Sequence, residues 1–138
     1  MRYSAFGATN VGKVGDHNED AFYVSPESGY FIVSDGMGGL AAGEIASAVT
    51  RETIIECFEK SFASTDSVEK LMKEAFSKAN EAVRKKLSET NAKKGMGCTC
   101  VVLAFRDNDF FVGYVGDSRI YLFRSGKLKQ LTRDHSYV

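Results

Sequence analysis

Residues 18–39 read NEDAFYVSPESGYFIVSDGMGG, and the fold follows from how this stretch is punctuated. Ala21–Ser25 and Tyr30–Ser34 are short runs rich in aromatic and β-branched residues, and Pro26-Glu27-Ser28-Gly29 between them is turn chemistry. The spacing predicts a β-hairpin. Asp20 lies just before the first run and Asp35 just after the second, so pairing the strands brings both carboxylates to one end of a sheet. Two converging carboxylates repel; the pair either holds a proton or binds a cation, and hard oxygen donors favour Mg2+ or Mn2+. Gly36 adds a backbone carbonyl with no side chain in the way, and Glu19 reaches the same place through water. A lone aspartate at a strand end is ordinarily a turn cap, but two acidic motifs flanking one hairpin favour a site.

Upstream of this hairpin, Arg2–Thr9 reads as a further strand, which makes the start a three-stranded meander. Downstream, Ile45, Ala48, Val49, Ile55, Phe58 and Phe62 recur at helical spacing and predict an amphipathic helix from Ala42 to about Phe62. A second helix is expected to open at Asp66, with Glu69 completing a capping box, and to bury Val68, Leu71, Met72, Ala75, Phe76, Ala79, Val83 and Leu87. After a flexible link over Asn91–Gly97 the pattern returns to strands at Cys98–Phe105, Asp109–Val115, Arg119–Arg124 and Lys127–Leu131, with turns at Asp107-Asn108 and Ser125-Gly126. The order βββ-αα-ββββ segregates strands from helices, so the class is α+β with antiparallel sheet. The chain ends without a terminal helix or closing strand, which predicts a portion of a larger domain.

The 138 residues carry 18 basic and 18 acidic side chains and are 43% hydrophobic, the composition of one globular domain and not of a disordered chain. Zero net charge argues against nucleic-acid binding, yet residues 1–69 sum to −7 and residues 70–138 to +7. An acidic first half suits a cation site; oppositely charged helix faces packed side by side explain it equally well. The longest apolar run, Cys100–Phe105, is far too short to span a bilayer, and MRYSAFGATN lacks the features of a signal peptide, so the expected compartment is the cytoplasm. Cys57, Cys98 and Cys100 read as reduced core thiols, since Cys98 and Cys100, two apart on a strand, point the same way without facing each other. With His17 and His135 the only histidines and no CxxC spacing, structural zinc is disfavoured.

Two nucleotide motifs nearly fit. Gly7–Lys13 matches a phosphate-binding loop through the lysine, but Val14 replaces the hydroxyl needed for magnesium and Gly15-Asp16 breaks the helix that should follow. Gly36–Ala41 satisfies G-x-G-x-x-[GA] between a strand and a helix. No parallel strand follows to carry the ribose-binding acid, and Asp35 at the loop mouth repels a pyrophosphate unless a cation lies between them. A third acid, Asp117 in Val115-Gly116-Asp117-Ser118-Arg119, taken alone reads as a tight turn with Arg119 paired to Asp117.

Taken in order, Asn18-Glu19-Asp20, Asp35-Gly36-Met37-Gly38-Gly39, Gly97-Cys98-Thr99, Val115-Gly116-Asp117-Ser118-Arg119 and Leu131-Thr132-Arg133-Asp134-His135-Ser136 resemble the motif series of the metal-dependent protein serine/threonine phosphatases of type 2C, in their bacterial form. Each motif is weak alone; five in order, with two helices between the second and third, are specific. The resemblance covers residues 1–138, the N-terminal portion of such a domain, and implies a four-layer α-β-β-α sandwich with a metal cleft at one end of its two sheets. It also implies that Asp35 bridges two Mn2+ or Mg2+ ions, Gly36 offers its carbonyl, Glu19 and Asp20 act through water or from the outer shell, and Asp117 holds a third ion. The implied reaction is in-line attack of a metal-activated water on phosphoserine or phosphothreonine, with Asp20 and Asp35 as the catalytic carboxylates. Implied partners are a phosphoprotein substrate and a serine/threonine kinase pathway, with no nucleic acid or membrane.

Two departures from the family pattern stand out. Five residues before Asp20 the family carries a phosphate-clamping arginine, where this chain has Gly15, with Lys13 the nearest substitute. The family also continues past the last motif to supply two more aspartates. Met37 stands where some relatives have a histidine. The rival reading is a non-catalytic metal- or phosphoprotein-binding module, with nucleotide binding third. Uncovered sheet edges predict either a homodimer or coverage by further chain.

Overall fold

The computed structural model describes residues 2–38, 42–90 and 95–135. Its elements run β1 (Asp20–Ser25), β2 (Tyr30–Met37), α1 (Ala42–Ser61), α2 (Val68–Thr90), β3 (Gly97–Cys98), β4 (Cys100–Arg106), β5 (Asp109–Val115), β6 (Tyr121–Arg124) and β7 (Lys127–Gln130). The predicted hairpin is present. Its turn closes through the Gly29 N–H on the Ser25 carbonyl at 2.8 Å, with Gly29 at φ +82°, a conformation that glycine adopts without penalty.

β1, β2, β4 and β5 lie side by side in that order, every pair antiparallel, and β3 continues the register along the far end of β2. Alternate residues of β2, Tyr30, Ile32, Ser34 and Gly36, turn inward beneath the helices. There Tyr30 meets Phe58 and Phe62 at ring separations of 4.9 and 5.8 Å, next to Ile54, Val102 and Cys100. The second sheet among the described residues is the β6–β7 hairpin, whose turn residues Ser125 and Gly126 both have positive φ, as a two-residue hairpin loop requires. The α+β class with antiparallel sheets therefore stands. Among the described residues no helix is long and apolar enough to cross a membrane.

Several expectations need correction. Arg2–Thr9 is not a strand: among the described residues no segment pairs with its backbone, and it lies across the sheet face opposite the helices, with Tyr3 against Phe105 at 5.0 Å. The observed order is thus ββ-αα-βββββ rather than βββ-αα-ββββ. The strand expected over Cys98–Phe105 is interrupted at Thr99, so Cys98 pairs across from Gly36 and Cys100 across from Val115. α2 is capped by Ser67, whose Oγ accepts the Lys70 N–H at 3.2 Å, not by Asp66 with Glu69. The strand expected from Arg119 begins at Tyr121. The stripe that α1 buries is Ala46, Ser47, Thr50, Ile54 and Phe58; small residues there let the helix approach the sheet closely, while Ile45 and Val49 are only half-buried. The expected α2 stripe is buried as read, except that Phe76 and Leu87 are half-buried.

All three thiols are free, and burial pushes those of Cys57 and Cys100 upward, so neither is a ready nucleophile. Most of the expected link over Asn91–Gly97 lies outside the described residues, as do the last three residues, Gly39, Leu40 and Ala41.

Candidate metal centre

β2 runs to Met37, so Asp35 and Gly36 sit inside the strand rather than after it, and Asp20 begins β1 directly opposite Asp35. The two carboxyl groups point the same way from an antiparallel pair, as residues facing each other across neighbouring strands do. Asp35 reaches solvent, and its carboxyl is nevertheless held above the ordinary aspartate range. Partial desolvation is the main cause, followed by a hydrogen bond with Asp20 and by the negative charges of Asp20, Asp117 and Glu19. Four acidic residues from three separate stretches therefore act on one spot.

The backbone around this spot is tightly fixed. The Glu19 carbonyl accepts the Gly36 N–H at 3.0 Å and the Ser47 hydroxyl at 2.6 Å, tying the approach to β1, the end of β2 and the first turns of α1 together. Gly36 and Gly43 let strand and helix touch: a Cβ on Gly36 would lie 1.9 Å from the Gly43 carbonyl oxygen. A Cβ on Gly43 would meet the Glu19 carboxylate at 2.8 Å, so this side chain rests on the first turn of α1, where the helix dipole favours an anion. Asn18 Oδ1 accepts the Asp20 N–H at 3.0 Å and its amide donates to Thr9 at 2.8 Å, which joins the acidic pair to the N-terminal segment. Beside the pair is a cavity of about 330 Å3, walled by Ala8, Thr9, Asn10, Asp20, Asp35 and Ser118 among others. A larger cavity, about 990 Å3, lies elsewhere, between α2 and β5, and is mainly apolar.

Asp117 follows Gly116, whose φ of +98° sets the turn after β5. The expected Arg119–Asp117 pair is not formed. Arg119 instead grips Asp134 with two bonds of 3.0 and 2.6 Å, leaving Asp117 free of that partner. His135 brackets the same turn: its N–H donates to the Gly116 carbonyl at 3.0 Å, and its Nδ1 accepts the Gly116 N–H at 3.3 Å. The Arg119 bonds hold the Asp134 carboxyl below the usual carboxylate range. An acid with a lowered folded value adds stability above its unfolded value and loses it as pH falls through the folded one. Carboxyl titration by NMR is expected to place Asp134 below an ordinary aspartate and to return it to the ordinary range in Arg119→Ala.

The donor set, carboxylates plus one backbone carbonyl with neither thiolate nor imidazole, fits a hard divalent cation. Among the described residues no three His, Cys, Asp or Glu side chains converge as a finished cage. What exists is a charged, partly built pair. Sequence reasoning missed Thr99, Ser118, Ser47 and Gly43 as supports. The Gly97-Cys98-Thr99 motif was the available signal for Thr99, but a motif carries no role until its partners are known. Gly15 is not in the left-handed region, and a Cβ there would meet the Val11 carbonyl at 3.2 Å.

Known proteins share this fold and the family to which its sequence matches. The family model described as protein phosphatase 2C matches residues 10–137. The serine/threonine protein phosphatase PstP of Mycobacterium tuberculosis is 33% identical over the whole chain, which covers 26% of PstP. Protein phosphatase PhpP of Streptococcus pneumoniae is 34% identical over 94% of this chain and 54% of its own length. Among solved structures, the PstP catalytic domain in complex with two manganese ions superposes with a TM-score of 0.83 at 30% identity, over 92% of this chain and 54% of that one. The type VI secretion regulator PppA of Pseudomonas aeruginosa gives 0.81 at 35% identity, over 94% and 55%. The chain spans about half the length of most relatives it matches, and in those structures that half carries the same helix-backed antiparallel sheet. On the family match over nearly all its residues, the chain belongs to the protein phosphatase 2C family.

Proposed function

We propose that this chain is part of a metal-dependent phosphatase that hydrolyses phosphoserine and phosphothreonine in proteins. Asp35 and the Gly36 carbonyl are its principal donors to two Mn2+ or Mg2+ ions, Glu19 and Asp20 act through water or from outside the first shell, and Asp117 serves a third ion. The observation that carries this reading is the direct pairing of Asp20 with Asp35, with the charges of Asp117 and Glu19 acting on the same carboxyl. Such a concentration of negative charge at a strand pair is unfavourable without a counter-ion. When bound, the ions supply an activated water and screen the phosphate oxygens. The residues of the chain do the rest: the two aspartates fix where charge is held, and the neighbouring cavity beside Thr9 and Asn10 admits a phosphoryl group. The substrates are then proteins phosphorylated by serine/threonine kinases.

Direct donors as few as these leave most of an octahedral shell to water, so these 138 residues alone are expected to bind manganese weakly and turn over slowly. The test is phosphate release from a phosphothreonine peptide, with and without manganese. Manganese-dependent release supports the enzyme. Manganese binding without release favours the second reading, a non-catalytic binding module, for which the lack of a finished cage among the described residues and the glycine at position 15 speak.

Gly15→Arg is expected to lower the Michaelis constant for a phosphate ester about tenfold, since a charge-assisted fork is worth roughly 1.5 to 3 kcal/mol. The backbone conformation accepts the change, with only a small shift away from the Val11 carbonyl. An unchanged Michaelis constant in a variant of normal melting temperature would show that Lys13 or another group already serves the phosphate.

A further inference from the structure

We propose that Thr99 is a positioning residue that locks Asp35 and the Asp117 turn into one fixed relation, an inference that rests on the metal-centre reading above. Thr99 sits in the break between β3 and β4 and is only 7% exposed. The register of β2 runs unbroken past it: Val33 faces Val101 and Gly36 faces Cys98, which sets Asp35 opposite Thr99. In a regular antiparallel pair those two residues exchange both backbone bonds. Here only one is made, from the Thr99 N–H to the Asp35 carbonyl at 2.8 Å. The Asp35 N–H turns to the Thr99 hydroxyl instead, at 3.0 Å.

The Thr99 carbonyl, released from the ladder, accepts the Ser34 hydroxyl at 2.6 Å. The Thr99 hydroxyl also bonds Ser118 Oγ at 2.5 Å, on the turn that carries Asp117. Its methyl group closes the other side of that turn: a Cβ on Gly116 would lie 2.7 Å from Thr99 Cγ2. Every polar group of Thr99 is thus spent on the two segments that bear Asp35 and Asp117. A threonine needed only to fill the strand would bond through its backbone alone. By exchanging a ladder carbonyl for a side-chain hydroxyl, the chain gains a second bond, and this bond reaches across to the Asp117 turn.

The test uses Thr99→Val, which keeps the shape and removes the hydroxyl, and Thr99→Ser, which keeps the hydroxyl. Two quantities are read: manganese affinity by calorimetry, and hydrogen exchange of the Asp35 amide without metal. Thr99→Val is expected to weaken manganese binding and to speed exchange at Asp35, each roughly tenfold, while Thr99→Ser stays within about twofold of wild type on both. Wild-type affinity and exchange in Thr99→Val would overturn the lock and leave the metal reading standing. Absence of manganese binding in the wild type would overturn the metal reading, and the positioning role with it; the exchange readout then still decides whether the lock itself exists, and an Asp35 amide as protected in Thr99→Val as in wild type overturns that too. Should Thr99→Val not fold, Ser118→Ala tests the second arm. Faster exchange across Asp117–Arg119 with Asp35 unchanged supports the lock, and unchanged exchange in the turn overturns it.

Discussion

Asp35→Asn is expected to raise the melting temperature of the metal-free protein at pH 7 while weakening manganese binding more than about a hundredfold, beyond the range seen when only a supporting residue is lost. The amide keeps the shape of the side chain, removes one of four clustered negative charges, and gives Asp20 a donor in place of a repelling oxygen. An acid whose folded value is raised favours the protonated fold, so its stability contribution is present at low pH and is lost as pH rises through that value. The advantage of the variant is therefore largest at neutral pH and shrinks on acidification towards the ordinary aspartate range, about pH 4. Melts at pH 7 and pH 5, with and without millimolar manganese, check both parts. Ligand binding to the native state should raise the wild-type melting temperature and leave the variant unmoved. A variant less stable than wild type without metal, or equally stabilised by manganese, would show that the four carboxylates are not strained by one another.

Gly36→Ala is expected to cost about 3 kcal/mol, roughly 10 °C in melting temperature for a chain of this size, and to remove manganese binding as well. The new Cβ would lie 1.9 Å from one backbone oxygen, that of Gly43, and 2.8 Å from another, that of Glu19. Neither can swing aside as a side chain would. The end of β2 must lift from α1, which breaks the Gly36 bond to Glu19 and displaces Asp35 next to it. Gly97→Ala is the control, because a Cβ there meets nothing nearer than Met37 Cγ at 3.8 Å. Equal melting temperatures for the two variants would contradict the close packing of strand on helix.

The hairpin that brings Asp20 opposite Asp35 was legible because its two halves are short, strongly β-forming and separated by turn residues, so one register satisfies both. The α2 stripe was legible for a similar reason: eight apolar residues at helical spacing leave one face to bury. The first half of α1 was read one step out of phase, since its buried residues Ser47 and Thr50 are polar and Ala46 is small, and they are buried for closeness to the sheet rather than for hydrophobicity, whereas Phe58 and Phe62 are buried as read. Arg2–Thr9 has the composition of a strand, but a strand exists only with a partner, and composition does not supply one. The supporting bonds of Thr99 and Ser118 were not legible. They depend on a single exchange of hydrogen-bond partners across residues 64 and 19 positions apart in the chain. Asp117, read from its own residues as a turn, exerts its charge on Asp35, and its expected partner Arg119 belongs to Asp134, a competition between acids that spacing alone does not settle.

The proposed metal site is the Asp20–Asp35 strand pair with the Gly36 carbonyl. Anomalous diffraction from crystals grown with manganese tests it most directly. A strong peak is expected within coordinating distance, roughly 2.1 Å, of an Asp35 carboxylate oxygen and of the Gly36 carbonyl. That peak should be absent from Asp35→Asn crystals grown in the same way. A peak at other residues, or no peak beside Asp35 at manganese concentrations that saturate binding in solution, would contradict it.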